Sequence, residues 1–208
     1  MIEYEIEPIP GLPGRLPPGE RVLWQGRPDL RVLARSAFHT GAVAVYFAGL
    51  VALALIGKAP LGALLTTIAG VAGVALLYLL AWICARTTRY TLTNKRLVLR
   101  IGMAVPKCIN LPLSQVEAVD YRARPRGTGD LVIRLTHPRG IGYALLWPHA
   151  RAWRYNNPQP MLRALPDAAR IGVLLARTVQ TAQGGGALQP IAANEPLQAP
   201  SLGEAVTA

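Results

Sequence analysis

Two uncharged stretches, residues 38–56 and 61–84, constrain this chain more than any other feature. Wound as α-helix at 1.5 Å per residue, 19 and 24 positions reach ~28 and ~36 Å. A bilayer's hydrocarbon core is ~30 Å thick, so each stretch is long enough to cross it. A helical hairpin inside a soluble core is the other way to bury such runs. In 208 residues, however, too little chain remains to cover both. The break between them, Gly57-Lys58-Ala59-Pro60, is short and polar, which suits a tight helical hairpin. Composition agrees: 51% of residues are apolar and 16% are charged, against ~25% charged in an ordinary soluble domain.

Charge sets the expected orientation. Arg21, Arg27, Arg31 and Arg35 precede the first run, and Arg86, Arg89, Lys95, Arg96 and Arg100 follow the second. Lys58 alone lies in the connection. The excess of Lys and Arg on the cytoplasmic side of membrane helices then predicts both termini in the cytoplasm of an inner-membrane, multi-pass protein. Tyr78 and Trp82 fall near one end of the second run, where an aromatic belt is expected. Small residues in that run, Gly62, Ala63, Gly70, Gly73 and Ala75, permit close helix packing, and a homo-oligomer through this face is a second use for them.

The net charge of +11 is concentrated. Residues 86–180 carry sixteen Lys and Arg against four acids, whereas residues 1–37 balance five Arg with five acids. Such a patch suits anionic lipid, bound non-specifically, or an acidic protein surface. A nucleic-acid partner is not expected. The period also changes after Arg86, from helical to alternating. Residues 89–93 and 96–100 read as strands around an Asn94-Lys95 turn, with Asn94 suited to positive φ. Residues 107–111, 115–122, 131–136 and 141–147 read as further strands, separated by Gly102, Pro112, residues 127–130 and Pro138-Arg139-Gly140. Residues 148–165 read as a structured loop. Pro166-Asp167 opens a helix to about Gln180, with Ile171, Leu174, Leu175, Thr178 and Val179 on one stripe. Asp29 is a plausible cap for a short helix over 29–35.

The expected class is thus a membrane α+β protein. A cytoplasmic arm (1–37) leads into a transmembrane helical hairpin (38–85, with spans 38–56 and 61–84). An antiparallel β-barrel with a C-terminal capping helix (86–180) and a disordered tail (181–208) follow. The acidic residues 1–7 lack the apolar core of a signal peptide. Cys84 and Cys108 read as reduced packing residues, and no Cys or His spacing suggests a metal site.

No catalytic constellation is present: no GxSxG, P-loop or HExxH, and His39, His137 and His149 are scattered. No enzyme and no cofactor are expected. His39 could hold a pigment's magnesium only as neutral imidazole, and a lone histidine at an interface is more often a polar flank. The candidate docking residues are Lys95, Arg96, Arg100, Arg122, Arg124, Arg126, Trp147, Trp153 and Arg154, a mixture of Arg and aromatic groups common at interfaces.

Three segments carry a resemblance. Leu23-Trp24-Gln25-Gly26-Arg27-Pro28, residues 89–102 and residues 109–116 (Ile-Asn-Leu-Pro-Leu-Ser-Gln-Val) resemble the bacterial membrane-anchored pleckstrin-homology-like proteins. That resemblance implies seven strands in a bent barrel capped by a helix. It also points to the first hairpin as a lipid site, although Val98-Leu99 before Arg100 interrupts the basic spacing usual there. Over about residues 16–180 the chain is similar to a narrower family, the PuhB photosynthetic-complex assembly proteins of purple phototrophic bacteria. Leu16-Pro17-Pro18-Gly19-Glu20, Ala37-Phe38-His39, Tyr46-Phe47, Trp147, Ala152-Trp153-Arg154 and Pro160-Met161-Leu162-Arg163-Ala164-Leu165-Pro166-Asp167 carry it. The resemblance implies assembly of reaction-centre and light-harvesting subunits by protein docking.

Overall fold

A computed structural model describes residues 11–12, 14–103, 107–137, 142–151 and 158–184. The acidic residues 1–7, Trp153, Arg154, the Pro138-Arg139-Gly140 turn and the tail from residue 185 lie outside the described residues.

The chain begins in a strand, β1 (Val22–Gly26), and leaves it through a short helix, α1 (Leu30–Ser36). As the sequence suggested, Asp29 caps α1, its carboxylate accepting the Val32 N–H at 2.9 Å. Two apolar helices follow, α2 (Thr40–Ile56) and α3 (Pro60–Thr87), joined by Gly57-Lys58-Ala59 and starting α3 with proline, which needs no N–H there. Both are apolar on all sides, and large side chains stand exposed along them: Val45, Leu53, Ile56, Leu61, Leu65 and Val71 are each more than half exposed. Among the described residues only α3 is by itself long and apolar enough to cross a membrane. Taken alone α2 is shorter, ~26 Å, and it reaches that standard only together with α1, across a 59° bend.

The runs also end differently from the spans expected. Phe38 and Cys84 do not face outward. They are buried with Val32, Leu33, Ala34, Ala81, Ala85 and Ala164 in a small core where α1 meets the last turns of α3. His39, left-handed at φ 52°, makes the bend between α1 and α2, and the Thr40 hydroxyl donates to Ala34 O at 3.2 Å. Between the two helices, Phe47 packs on Gly70, where an added Cβ would meet its Cβ at 2.8 Å. The face bearing Gly70 is therefore occupied from within the chain.

Beyond α3 the chain forms β2 (Arg89–Thr93), β3 (Arg96–Ile101), β4 (Lys107–Pro112), a 3₁₀ turn (Leu113–Gln115), β5 (Val116–Ala123), β6 (Thr128–Leu135), a single helical turn α4 (Tyr143–Leu146), β7 (Met161–Pro166) and helix α5 (Ala168–Ala182). All pairings are antiparallel, in two sheets ordered β1-β2-β3-β4 and β5-β6-β7. Alternation places Tyr90, Leu92, Leu97, Leu99, Leu111, Leu131 and Ile133 in one core, which Ile171, Leu175 and Val179 of α5 close. The stripe on α5 is thus the expected one.

Four expectations need correction. The arm 1–37 is not separate from the sheet domain: β1 pairs along β2, Gln25 opposite Thr91, so setting the arm apart from residues 86–180 divides one sheet. Asn94 does not adopt positive φ. It accepts the Arg21 N–H and donates to Gly19 O, both at 2.9 Å, and so fastens the segment before β1 to the β2–β3 turn. Within the strand expected at 141–147, residues 143–146 form the helical turn α4, outside either sheet. The loop expected at 148–165 contains β7. Prolines 158, 160 and 166 hide it, and all of Met161 to Leu165 is buried because α1 covers one face and the sheet core the other. Ala164 at φ 53° lets Leu162 and Leu165, three apart, both enter the main core.

Candidate docking site

The end of α3 feeds directly into β2, and a chain of buried polar groups ties this junction together. The His149 ring is fully buried. Its Nδ1 lies 2.7 Å from the Tyr90 hydroxyl, and its Nε2 lies 3.0 Å from Thr88 Oγ1 and 3.5 Å from Cys84 Sγ. Tyr90 OH in turn accepts the Arg163 N–H at 3.2 Å. One proton assignment satisfies the chain: Tyr90 donates to Nδ1 and Nε2–H donates to Thr88. Burial, aided by the Arg163 charge, pushes the His149 pKa down to about 3, and burial raises that of Tyr90. Burial likewise lowers the Arg163 pKa, with Asp130 opposing. Asp130 sits beneath this cluster. Its Oδ1 accepts the Ala164 N–H at 2.9 Å and its Oδ2 accepts from Arg124 Nε at 2.8 Å. A neutral imidazole and a neutral phenol in a closed site hold a fold together and offer no surface for a substrate.

The sequence-based docking residues divide by place. Lys95 is exposed in the β2–β3 turn. Arg96 beside it is held by Glu20, Nε to Oε1 at 2.9 Å and Nη2 to Oε2 at 3.2 Å. Burial pushes the Glu20 carboxyl up, but hydrogen bonds from Arg96 and Thr93, with the Arg96 and Lys95 charges, outweigh it and hold it below the usual range. This turn stands at the far end of β2 from α3, about 13 Å along the strand from Arg89 at ~3.3 Å per residue. Arg100 pairs in register with Arg89, at the near end, and is half-buried. The near end also holds the Arg124 to Gly127 turn between β5 and β6. Arg122 and Arg126 are exposed there, while Arg124 is paired with Asp130. Trp147 is 44% exposed and packs edge-on against Phe38, ring centres 5.6 Å apart. Trp82 and Tyr78 are exposed on α3, and the Arg86 guanidinium lies 5.1 Å from the Trp82 ring centre. The seven candidates among the described residues therefore do not form one patch. Lys95 and Arg96 belong to the end remote from the helices, and Arg124 and Arg126 to the end beside them.

Sequence reading did not couple Arg31 and Arg35 with Arg124 and Arg126. All four line one cavity of about 170 Å³ between α1 and the β5–β6 turn. The four-residue spacing of Arg31 and Arg35 puts them on one helix face, the single legible sign. A larger cavity of about 370 Å³ lies at the seam of the sheets, lined by Ile109, Leu111, Gln115, Leu135 and His137 among others. Neither cysteine is in a disulfide among the described residues; Cys84 is buried and Cys108 half-buried.

Two antiparallel sheets closed by a C-terminal helix make a pleckstrin-homology-like module. The chain belongs to the Bacterial PH domain family, whose model matches residues 41–180. It is 34% identical over 188 residues, 86% of this chain and 88% of the relative, to an "Uncharacterized 23.7 kDa protein in puhA 5'region" of Rhodobacter capsulatus. No solved structure matches it. The family match begins inside α2, so β1 lies outside it although it completes the first sheet.

Proposed function

We propose that the chain is a docking module anchored in the inner membrane by the α2–α3 hairpin, of the PuhB kind, assisting assembly of photosynthetic reaction-centre and light-harvesting subunits. The observation that carries the membrane half is the exposed apolar surface of α2 and α3, too large for a soluble monomer to leave uncovered. Between Pro60 and Leu80 most large side chains are exposed, a length of ~30 Å that matches a hydrocarbon core. Pairing of β1 with β2 keeps both flanks of the hairpin in one domain, which favours an even number of crossings. The excess of flanking Arg supports a cytoplasmic domain, and the Trp82–Arg86 pair suits a helix end at an interface. Confinement to the membrane surface raises the domain's effective concentration near nascent subunits, without catalysis.

The photosynthetic half rests on the segment resemblance and on the relative's printed place in the puhA 5' region, a hint toward the same process. A second reading, a general membrane-surface module, is favoured by the Bacterial PH domain match, which specifies no partner. Crosslinking a tagged chain in phototrophically grown cells separates the two. Recovery of reaction-centre or light-harvesting subunits is expected. Normal reaction-centre assembly in a deletion strain, with no such subunits recovered, leaves the general reading.

A further inference from the structure

We infer that the cavity between α1 and the β5–β6 turn is a binding site for a phosphate group. Arg31 and Arg35 enter it from one face of α1, and Arg124 and Arg126 from the turn. Arg124 is half-committed to Asp130, but Arg31, Arg35 and Arg126 have no ion pair among the described residues. Four arginines round one concavity raise the local positive potential, and a multivalent anion lowers it while accepting from several planar forks at once. The volume, about 170 Å³, holds several waters of ~30 Å³ each, room for a compact tetrahedral group.

Ser36 supplies a second sign. The residue lines the same cavity, and its Oγ, turned inward, is buried without a hydrogen-bond partner among the described residues. A buried hydroxyl left unpaired is costly, and rotation about χ1 toward the cavity would let a phosphate oxygen accept from it. The turn is also held rigid: Arg124 N donates to Thr128 O at 2.8 Å, Thr128 Oγ1 donates to Pro125 O at 2.8 Å, and Arg126 sits at φ 65°. Such a left-handed arginine is sparsely populated and is held there by its surroundings. A carboxylate offers two oxygens, whereas a phosphate offers enough for three or four donors, so phosphate fits the donor set better.

The source of the phosphate follows from place. On its other face α1 packs against the last turns of α3. If α3 spans, the cavity lies at headgroup depth, and an anionic phospholipid is the occupant; this step rests on the membrane reading above, whereas the phosphate site does not. The full chain in an uncharged detergent is titrated with dihexanoyl phosphatidylglycerol and, separately, with inorganic phosphate at fixed ionic strength. Saturable binding is expected, weakened about tenfold or more in Arg35→Gln/Arg126→Gln and severalfold in Ser36→Ala. Arg21→Gln/Arg177→Gln, equal in charge but outside the cavity, should stay within about twofold. Preference for the lipid identifies a headgroup site, and equal affinity identifies a site for free phosphate. Unchanged binding in the Arg35/Arg126 variant, equal loss in the Arg21/Arg177 variant, or no saturation by either probe overturns the proposal. Detergent solution requires no bilayer crossing, so failure here and failure of membrane insertion are separate results.

Discussion

Asp130 ties β6 to β7 and to the end of β5. It is almost wholly buried, accepts the backbone of β7 at Ala164 and pairs with Arg124, and its charge opposes the burial of Arg163. Asp130→Ala leaves buried cations without their counterion, and such a loss costs about 3–5 kcal/mol. Chemical unfolding in detergent should show it, with Asp130→Asn in between because one acceptor oxygen survives. His149 makes a different kind of demand. Folded, it takes a proton only near pH 3; unfolded, it takes one near 6.5. Its contribution is therefore complete above pH 6.5 and is lost as pH falls from there toward 3. Each pH unit within that window removes up to ~1.4 kcal/mol, so about 2 kcal/mol should go between pH 6.5 and 5. The thermal midpoint of the parent should drop over that interval, and His149→Gln should flatten the slope while lowering the midpoint at pH 7. An equal slope in both proteins would show that His149 is not the group responsible.

At the scale of elements, the α2–α3 hairpin depends on one close approach. Phe47 lies where a Gly70 side chain would be, so Gly70→Ala should separate the helices and cost about 1–3 kcal/mol, as overpacking does. Phe47→Leu in the same chain should restore most of it, a coupling that thermal unfolding of the two singles and the double measures. Period explains which elements were legible in the sequence. The alternation in residues 89–93 and 96–100 and the stripe on α5 each reflect one buried face, and both match the structure. By contrast β7 is buried on both sides, so it neither alternates nor stands clear of its prolines. Similarly β1 reads as a mixed segment because it is an edge strand, half-exposed and only five residues long. For the candidate site, the Arg cluster at 122–126 was legible as charge. Its partners Arg31 and Arg35 lie about 90 positions earlier in sequence, and only tertiary folding brings them together.

At the scale of the whole molecule, a helical hairpin interrupts a sheet: the chain makes β1, leaves through α1, α2 and α3, and returns to pair β2 against the strand it left. Were the hairpin to cross a membrane as proposed, the domain would close only by its returning to the side it started from, which would tie folding of the sheet to placement of the helices. Gln25 and Thr91 are register partners and their side chains touch, Nε2 to Oγ1 at 2.9 Å. Directly opposed antiparallel residues have Cα atoms about 4.5–5.5 Å apart, within reach of a disulfide. In a Cys108→Ser background, Gln25→Cys/Thr91→Cys should therefore oxidise readily in isolated membranes. A protease site inserted after Lys58 should then be cut from the outer face of intact spheroplasts. The two fragments should migrate together until reduced. Cleavage only in inverted vesicles would place the connection in the cytoplasm, and fragments that separate without reductant would mean that β1 and β2 are not partners in the membrane-bound protein. Joined fragments after outside cleavage require both a crossing hairpin and a sheet assembled across its two ends, because a surface-adsorbed hairpin would leave Lys58 shielded on the inner side.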